Sequence, residues 1–189
     1  AEMPATFNIE ALKAQSVLAR TYAKKAMESG RVLTDTTSTQ VYKDNNELKK
    51  LWGNNYDKYY EKIKNAVIAT SGEVLKYNGN YIEAVYHSTS NGWTEDASNV
   101  WGNSFPYLVS VESMYDNTNK NFQVTTFFSY EDISNKLGKI VTNDSIFNII
   151  SRNDSGRVSS IEIDGVSYTG INIRTLLGLR STDFNIEKL

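Results

Sequence analysis

Apolar and small side chains recur at helical spacing early in the chain: Ala11, Leu12, Ala14, Gln15, Leu18, Ala19, Tyr22, Ala23 and Ala26. Asn8 stands where an N-cap belongs, Glu10 suits the positive end of a helix, and Gly30 follows where a C-cap glycine is expected. The stripe is rich in alanine, so another backbone element can approach it closely. Arg20 lies among uncharged neighbours, one turn from Lys24, and an embedded cation of this kind requires an anionic or carbonyl partner. Residues 34–42 are polar and β-branched, which predicts a loop leading into a short strand. Helical spacing returns from Asn46 to Ala69 through Leu48, Leu51, Trp52, Tyr56, Tyr59, Tyr60, Ile63, Ala66 and Val67, and Gly53 divides it into two helices.

Period-two patterning then takes over. Val74 to Tyr77 and Asn80 to His87 flank Asn78-Gly79, a pair in which both residues tolerate the positive φ of a type I′ turn, so a β-hairpin is predicted. In its second strand Ile82, Ala84, Tyr86 and Ser88 would share one face, opposite Tyr81, Glu83, Val85 and His87. A loop of small polar residues follows from Ser88 to Glu95, with Trp93 and Trp101 expected as core aromatics. Loops of this composition often line ligand grooves. Ser129 caps a helix through Leu137, 145–150 reads as a further short helix, 157–168 as a hairpin turned at Asp164-Gly165, and 175–179 as a last short helix. Helices mixed with antiparallel hairpins, without βαβ alternation, indicate an α+β fold in which the alanine-rich N-terminal helix and further helices pack with β-hairpins. We expect one domain over 1–189 with a bilobal division, a motif-rich lobe over 1–115 and a supporting lobe over 116–189.

Composition narrows the chemistry. The 189 residues suffice for one domain with a sizeable core, 40% hydrophobic and 22% charged residues are the balance of a globular chain, and no apolar run reaches the length that spans a bilayer. Twenty basic against 22 acidic residues, a net charge of -2, mark no nucleic-acid partner, and a neutral partner such as a sugar chain fits at least as well. The absence of cysteine excludes disulfides, thiolate metal sites and cysteine nucleophiles, and the single histidine, His87, excludes a multi-histidine metal cage. Ser88 adjoins His87, but neighbouring strand residues face opposite ways, so a serine–histidine relay is disfavoured. No glycine-rich phosphate loop is present. Carboxylates remain. Sugar cleavage needs a proton delivered to the glycosidic oxygen, and a glutamate among apolar neighbours keeps that proton more readily. Glu2, beside Met3 and Pro4, has such a context, whereas Glu47, Glu61 and Glu131 do not; composition and spacing alone favour reading Glu2 as an exposed terminal carboxylate. Ala1-Glu2-Met3-Pro4 is neither a signal peptide nor an obvious native start, so the chain is expected to begin inside a domain.

Several motifs occur in a fixed order: Glu2-Met3-Pro4-Ala5-Thr6-Phe7, then Glu10 to Tyr22, Asp35-Thr36 with Gln40-Val41-Tyr42, Ala66-Val67 with Thr70-Ser71-Gly72, and Tyr86-His87-Ser88-Thr89-Ser90-Asn91-Gly92-Trp93-Thr94-Glu95. Val100-Trp101-Gly102, Pro106-Tyr107-Leu108, Arg174 and Leu177 to Phe184 complete the series. Together they resemble the stage II sporulation protein D (SpoIID) family, which includes amidase enhancers, over nearly the whole chain. The resemblance implies a lytic transglycosylase of sporulation engulfment that cuts the N-acetylmuramic acid to N-acetylglucosamine bond of denuded peptidoglycan strands and leaves 1,6-anhydro ends. The family's catalytic glutamate maps to Glu2. Substrate-gripping roles carry over to Lys13, Gln15, Arg20, Gln40, Tyr42, His87, Ser88, Ser90, Thr94 and Tyr107, with Arg20 weighed equally as a structural partner and His87 as a hydrogen-bonded strand residue. Leu177 to Phe184 are expected to serve packing and capping. The implied partners are glycan strands, a SpoIIP-like amidase that strips stem peptides and a SpoIIM-like membrane scaffold. An extracytoplasmic location with an N-terminal anchor upstream of this chain is implied as well. Some relatives bind zinc through histidine and cysteine near the position of Ser38-Thr39-Gln40. This chain has hydroxyls there, and no metal or other cofactor is expected. The alternative from another functional class is a non-catalytic glycan-binding enhancer of an amidase.

Overall fold

The computed structural model of the chain describes residues 2–36, 39–119 and 122–189. They form an α+β structure in two compact units, Ala1–Tyr86 and His87–Leu189, a division upstream of the 115/116 boundary expected from motif density.

The first unit begins with α1 (Ile9–Glu28), capped by the Asn8 side chain, which accepts from Glu10 N, with Gly30 just beyond its end at φ 68°. Next come α2 (Asn45–Trp52), a short 3-10 turn over Gly53–Asn55 and α3 (Tyr56–Ala69), so the predicted break at Gly53 is present. α1 packs on α3, and the alanines explain how: Ala26 and Ala66 are fully buried, and side chains this small let the two backbones approach closely. Arg20 completes the contact. Its Nη1 donates to the carbonyls of Thr70 (2.7 Å) and Glu73 (2.8 Å), just past the C-terminus of α3, whose last turn holds no basic residue of its own. Thr21, also fully buried, donates to Val17 O and accepts from Leu75 N, and Lys25 pairs with Glu83 at 2.6 Å, tying α1 to the hairpin segment.

That hairpin is shorter than its pattern predicts. β1 (Lys76–Tyr77) and β2 (Asn80–Tyr81) pair across Asn78 (φ 48°) and Gly79 (φ 82°), the left-handed pair that a type I′ turn demands. The strand stops at Tyr81, since residues 82–87 find no ladder partner among the described residues. The alternation of faces expected through Ser88 therefore does not arise. Likewise no strand forms at 39–42 among the described residues.

The second unit contains α4 (Ala97–Trp101), a 3-10 turn over Met114–Thr118, α5 (Tyr130–Leu137) with the predicted Ser129 cap, β3 (Phe147–Arg152), β4 (Val158–Ile163), β5 (Val166–Thr169) and α6 (Gly170–Leu177). β3, β4 and β5 form an antiparallel sheet in that order, with β4–β5 turning at Asp164-Gly165 as predicted. Val158, Ile161, Ile163 and Ile173 make the core between sheet and α6, joined by Phe147, Ile149, Leu177 and Phe184.

Two helix boundaries require correction. Residues expected as a helix over 145–150 lie mainly in β3, where Phe147 and Ile149 point to the core while Ile150 lies in the register shift between Ile149 and Ser151 and stays exposed; pairing with β4 outweighs the local helical reading. The last helix starts at Gly170 rather than near 175, because Thr169 and Asn172 form a capping box there. Trp93 and Trp101 are also not core residues: they are 45% and 56% exposed.

Candidate functional site

Glu2 is an exposed residue on an anchored segment. Pro4 O accepts from Phe7 N at 3.1 Å in a tight turn, Ala5 is buried, and the Lys62 ammonium of α3 donates to the Phe7 carbonyl. The Glu2 carboxylate is held from a distant part of the chain: Oε1 accepts a hydrogen bond of 3.0 Å from Val41 N, 39 residues away. Tyr86 faces the same carboxylate. Burial, followed by the negative charge and hydrogen bonding of Glu2, raises the Tyr86 phenol above the usual tyrosine range, while the Gln15 amide opposes that rise. Gln15 Nε2 is itself buried without a partner of hydrogen-bonding geometry, so it neighbours the Tyr86 hydroxyl without forming a proper bond to it. Glu2, Gln15 and the Gln40-Val41-Tyr42 motif thus meet at one corner of the first unit, and Tyr86 joins them. Sequence reasoning does not mark Tyr86 for chemistry; its one signal is a tyrosine directly before the sole histidine.

The other candidates in this unit take separate positions. Gln40 is half-buried beside Val41, and Tyr42 is 69% exposed, its N–H donating to Asp35 O at 3.3 Å. An exposed ring next to the backbone group that holds Glu2 offers a flat face to a ligand. Lys13 pairs with Glu10 at 2.8 Å on the surface of α1. Arg20 has its donors committed to carbonyls at the end of α3, with Val67 O at 3.4 Å and Thr70 Oγ1 at 3.5 Å as further neighbours, so its guanidinium acts as a cap. Ser38 lies outside the described residues. Thr39 Oγ1 donates to Thr34 O (2.7 Å) and accepts from Thr34 N (2.9 Å), which knots the loop by hydroxyl bonds. The Thr39 hydroxyl is thereby already engaged by the backbone.

The remaining candidates belong to the second unit. His87 and Ser88 are exposed and make no side-chain hydrogen bond among the described residues. Ser90 and Thr94 are structural. Ser90 is buried, and its N–H and hydroxyl both donate to Asp116 Oδ2 (2.6 and 2.8 Å), while Thr94 Oγ1 donates to Val109 O and accepts from Val111 N. Tyr107 is half-buried with its ring 5.8 Å from that of Phe105. A polar cluster that sequence reasoning missed centres on Glu95. Its Oε1 accepts from Asp96 N and Asn99 Nδ2, its Oε2 from Asn153 Nδ2 and Ser155 Oγ, and Arg157 Nε lies 3.8 Å from Oε2. With both oxygens saturated, this carboxylate braces the loop on the sheet.

Comparison with known proteins agrees with this arrangement of motifs. Residues 1–77 match the family model SpoIID, described as stage II sporulation protein. The chain is similar to stage II sporulation protein D of Bacillus subtilis (strain 168), 40% identical over 99% of this chain and 57% of the relative, and equally to that of Bacillus amyloliquefaciens. An amidase enhancer of Bacillus subtilis (strain 168) is 35% identical over 85% of this chain and 20% of its own length. The chain therefore spans little more than half the length of the sporulation proteins it matches.

Proposed function

Because the chain belongs to the stage II sporulation protein D family, we propose that it acts on the cell wall during sporulation as a lytic transglycosylase, with Glu2 as its acid and base. The observation that carries this reading is the Glu2 carboxylate gripped by Val41 N and faced by Tyr86. An N–H donor at Oε1 requires an acceptor there, so the proton of the acid form sits on Oε2. From that oxygen it passes to the glycosidic oxygen as the bond to the anomeric carbon of N-acetylmuramic acid breaks. The same sugar's 6-hydroxyl then attacks the anomeric carbon and returns its proton to Glu2, closing the 1,6-anhydro ring. No water is consumed, and an intramolecular nucleophile needs no second carboxylate to activate it. The Tyr86 phenol, raised above the usual tyrosine range chiefly by burial and then by the neighbouring Glu2 charge, stays neutral beside the carboxylate.

The proposed substrate is glycan stripped of stem peptides by a partner amidase, at an extracytoplasmic surface. Tyr42 and Gln40, on either side of the Val41 N–H that holds Glu2, are the residues proposed to contact the sugar next to the scissile bond. Incubation of the protein with denuded strands, followed by mass spectrometry of the products, tests the reading. Anhydro-ended fragments are expected, falling by a factor on the order of 10² to 10⁴ in Glu2→Gln, the range for loss of general acid–base catalysis. Fragments that persist unchanged in Glu2→Gln would remove Glu2 from the role. Similarity to an amidase enhancer favours a second outcome: no fragments, but faster stem-peptide release when an amidase is added.

A further inference from the structure

The chain carries two Asn-Gly pairs, Asn78-Gly79 and Asn91-Gly92, and the fold treats them in opposite ways. In this dipeptide the asparagine amide carbon lies within reach of the next backbone nitrogen, and glycine, having no Cβ, leaves that nitrogen unshielded. At Asn91 every atom such an attack involves is engaged. Nδ2 donates to Ser155 O (2.9 Å) and to Asp183 Oδ2 (2.8 Å), Oδ1 accepts from Trp93 N (3.2 Å), and Gly92 N donates to Ser90 Oγ (3.2 Å). The side chain is half-buried, and two of its partners come from far along the chain. Asn78 has none of this. It is exposed, and its side chain makes no hydrogen bond among the described residues. Gly79 lies outside the ladder, which pairs Lys76 with Tyr81 and Tyr77 with Asn80, and a Cβ placed on it would meet nothing within 4 Å. A ladder of two residue pairs opens readily, so the turn samples the conformations that the attack requires.

We propose that Asn78 is a site of spontaneous covalent modification and that the fold protects Asn91 from the same reaction. The Gly79 nitrogen gives its proton to solvent and attacks Asn78 Cγ. The Cγ–Nδ2 bond breaks, the nitrogen leaves as ammonia with a proton taken from water, and a five-membered succinimide remains. Water then adds to either ring carbonyl and opens the ring, leaving aspartate or isoaspartate. In sum one amide and one water become one acid and one ammonia, with no change of oxidation state. Isoaspartate routes the main chain through the side-chain methylene, which lengthens a two-residue loop whose geometry depends on the left-handed pair at Asn78 (φ 48°) and Gly79 (φ 82°). The hairpin therefore opens as the protein ages, while the loop at Asn91 keeps its form.

The test incubates the whole chain at mildly alkaline pH and follows the conversion of amide to acid at each pair by peptide mapping and mass spectrometry, in buffer and in denaturing urea. In buffer the Asn78 peptide is expected to convert at least about tenfold faster than the Asn91 peptide, since hydrogen bonds at three of the reacting atoms must break before Asn91 reacts. In urea the two rates are expected to converge, because the hydrogen bonds that distinguish the pairs are lost. Asn78→Gly, which suits the same turn, is expected to abolish the acidic species that ion exchange resolves first. Asp183→Ala, which removes one partner of the Asn91 amide, is expected to speed conversion at Asn91. Equal rates in buffer, faster conversion at Asn91, or no conversion at Asn78 would each overturn the proposal. A rate ratio unchanged by urea would overturn the protective role of the fold, since local sequence would then set the difference.

Discussion

At the scale of single residues, the decisive fact about Glu2 is which atoms surround it. A glutamate at the second position reads as a surface carboxylate, yet Val41 N holds one of its oxygens and Tyr86 faces it. Removing the phenol oxygen while keeping the ring isolates the contribution of that hydroxyl. Tyr86→Phe is therefore expected to lower kcat on denuded glycan by roughly ten- to a hundredfold, the size of a hydrogen bond to a charged group, with KM little changed. Steady-state kinetics separate the two constants, and a rise in KM alone would assign Tyr86 to binding. Arg20 illustrates the opposite lesson. Its sequence context required an anionic or carbonyl partner, and carbonyl groups of Thr70 and Glu73 supply it. The helix end rather than a ligand satisfies the charge.

At the scale of elements, local chemistry and tertiary pairing divide the outcome. The caps at Asn8 and Ser129 and the turns at Asn78-Gly79 and Asp164-Gly165 all stand where the sequence places them, because each is decided by a few neighbouring residues. Strand β3 is different. Phe147 and Ile149 carry no local preference strong enough to oppose a helix, and the ladder to β4 together with burial against Ile161 and Ile173 selects the extended form. The junction of β5 and α6 is set by close approach: a Cβ at Gly170 would lie 1.9 Å from the Val158 carbonyl oxygen, a backbone atom that cannot swing aside. Gly170→Ala is expected to destabilise the second unit by about 1–3 kcal/mol, the usual cost of overpacking, read as an earlier urea midpoint. An unchanged midpoint would mean that α6 shifts freely on the sheet.

At the scale of the whole molecule, charge and acid response follow from where carboxylates are engaged. Asp96, Asp132 and Asp164 of the second unit all lie below the usual aspartate range, held there chiefly by hydrogen bonds from Ser98, from Ser129 and from Ile146 N respectively. A carboxylate with a lowered folded pKa adds stability above its unfolded value near 4 and loses it as the pH falls through the folded value. Thermal midpoints are therefore expected to drop as the pH goes below about 4, and Asp164→Asn, which keeps an acceptor for Ile146 N but cannot titrate, is expected to flatten that drop. An identical slope in the variant would show that Asp164 is not among the groups responsible. The sequence by itself determined the α+β class, the helix caps, the two hairpin turns, the alanine face of α1 and the family, because these depend on short-range patterns and ordered motifs. Only the tertiary structure decided which backbone group holds Glu2, where Arg20 is anchored, that Trp93 and Trp101 face solvent, and that Ser155 and Asp183 hold the Asn91 amide. Those facts join residues tens of positions apart, and no local spacing specifies a contact that only the packed chain brings about.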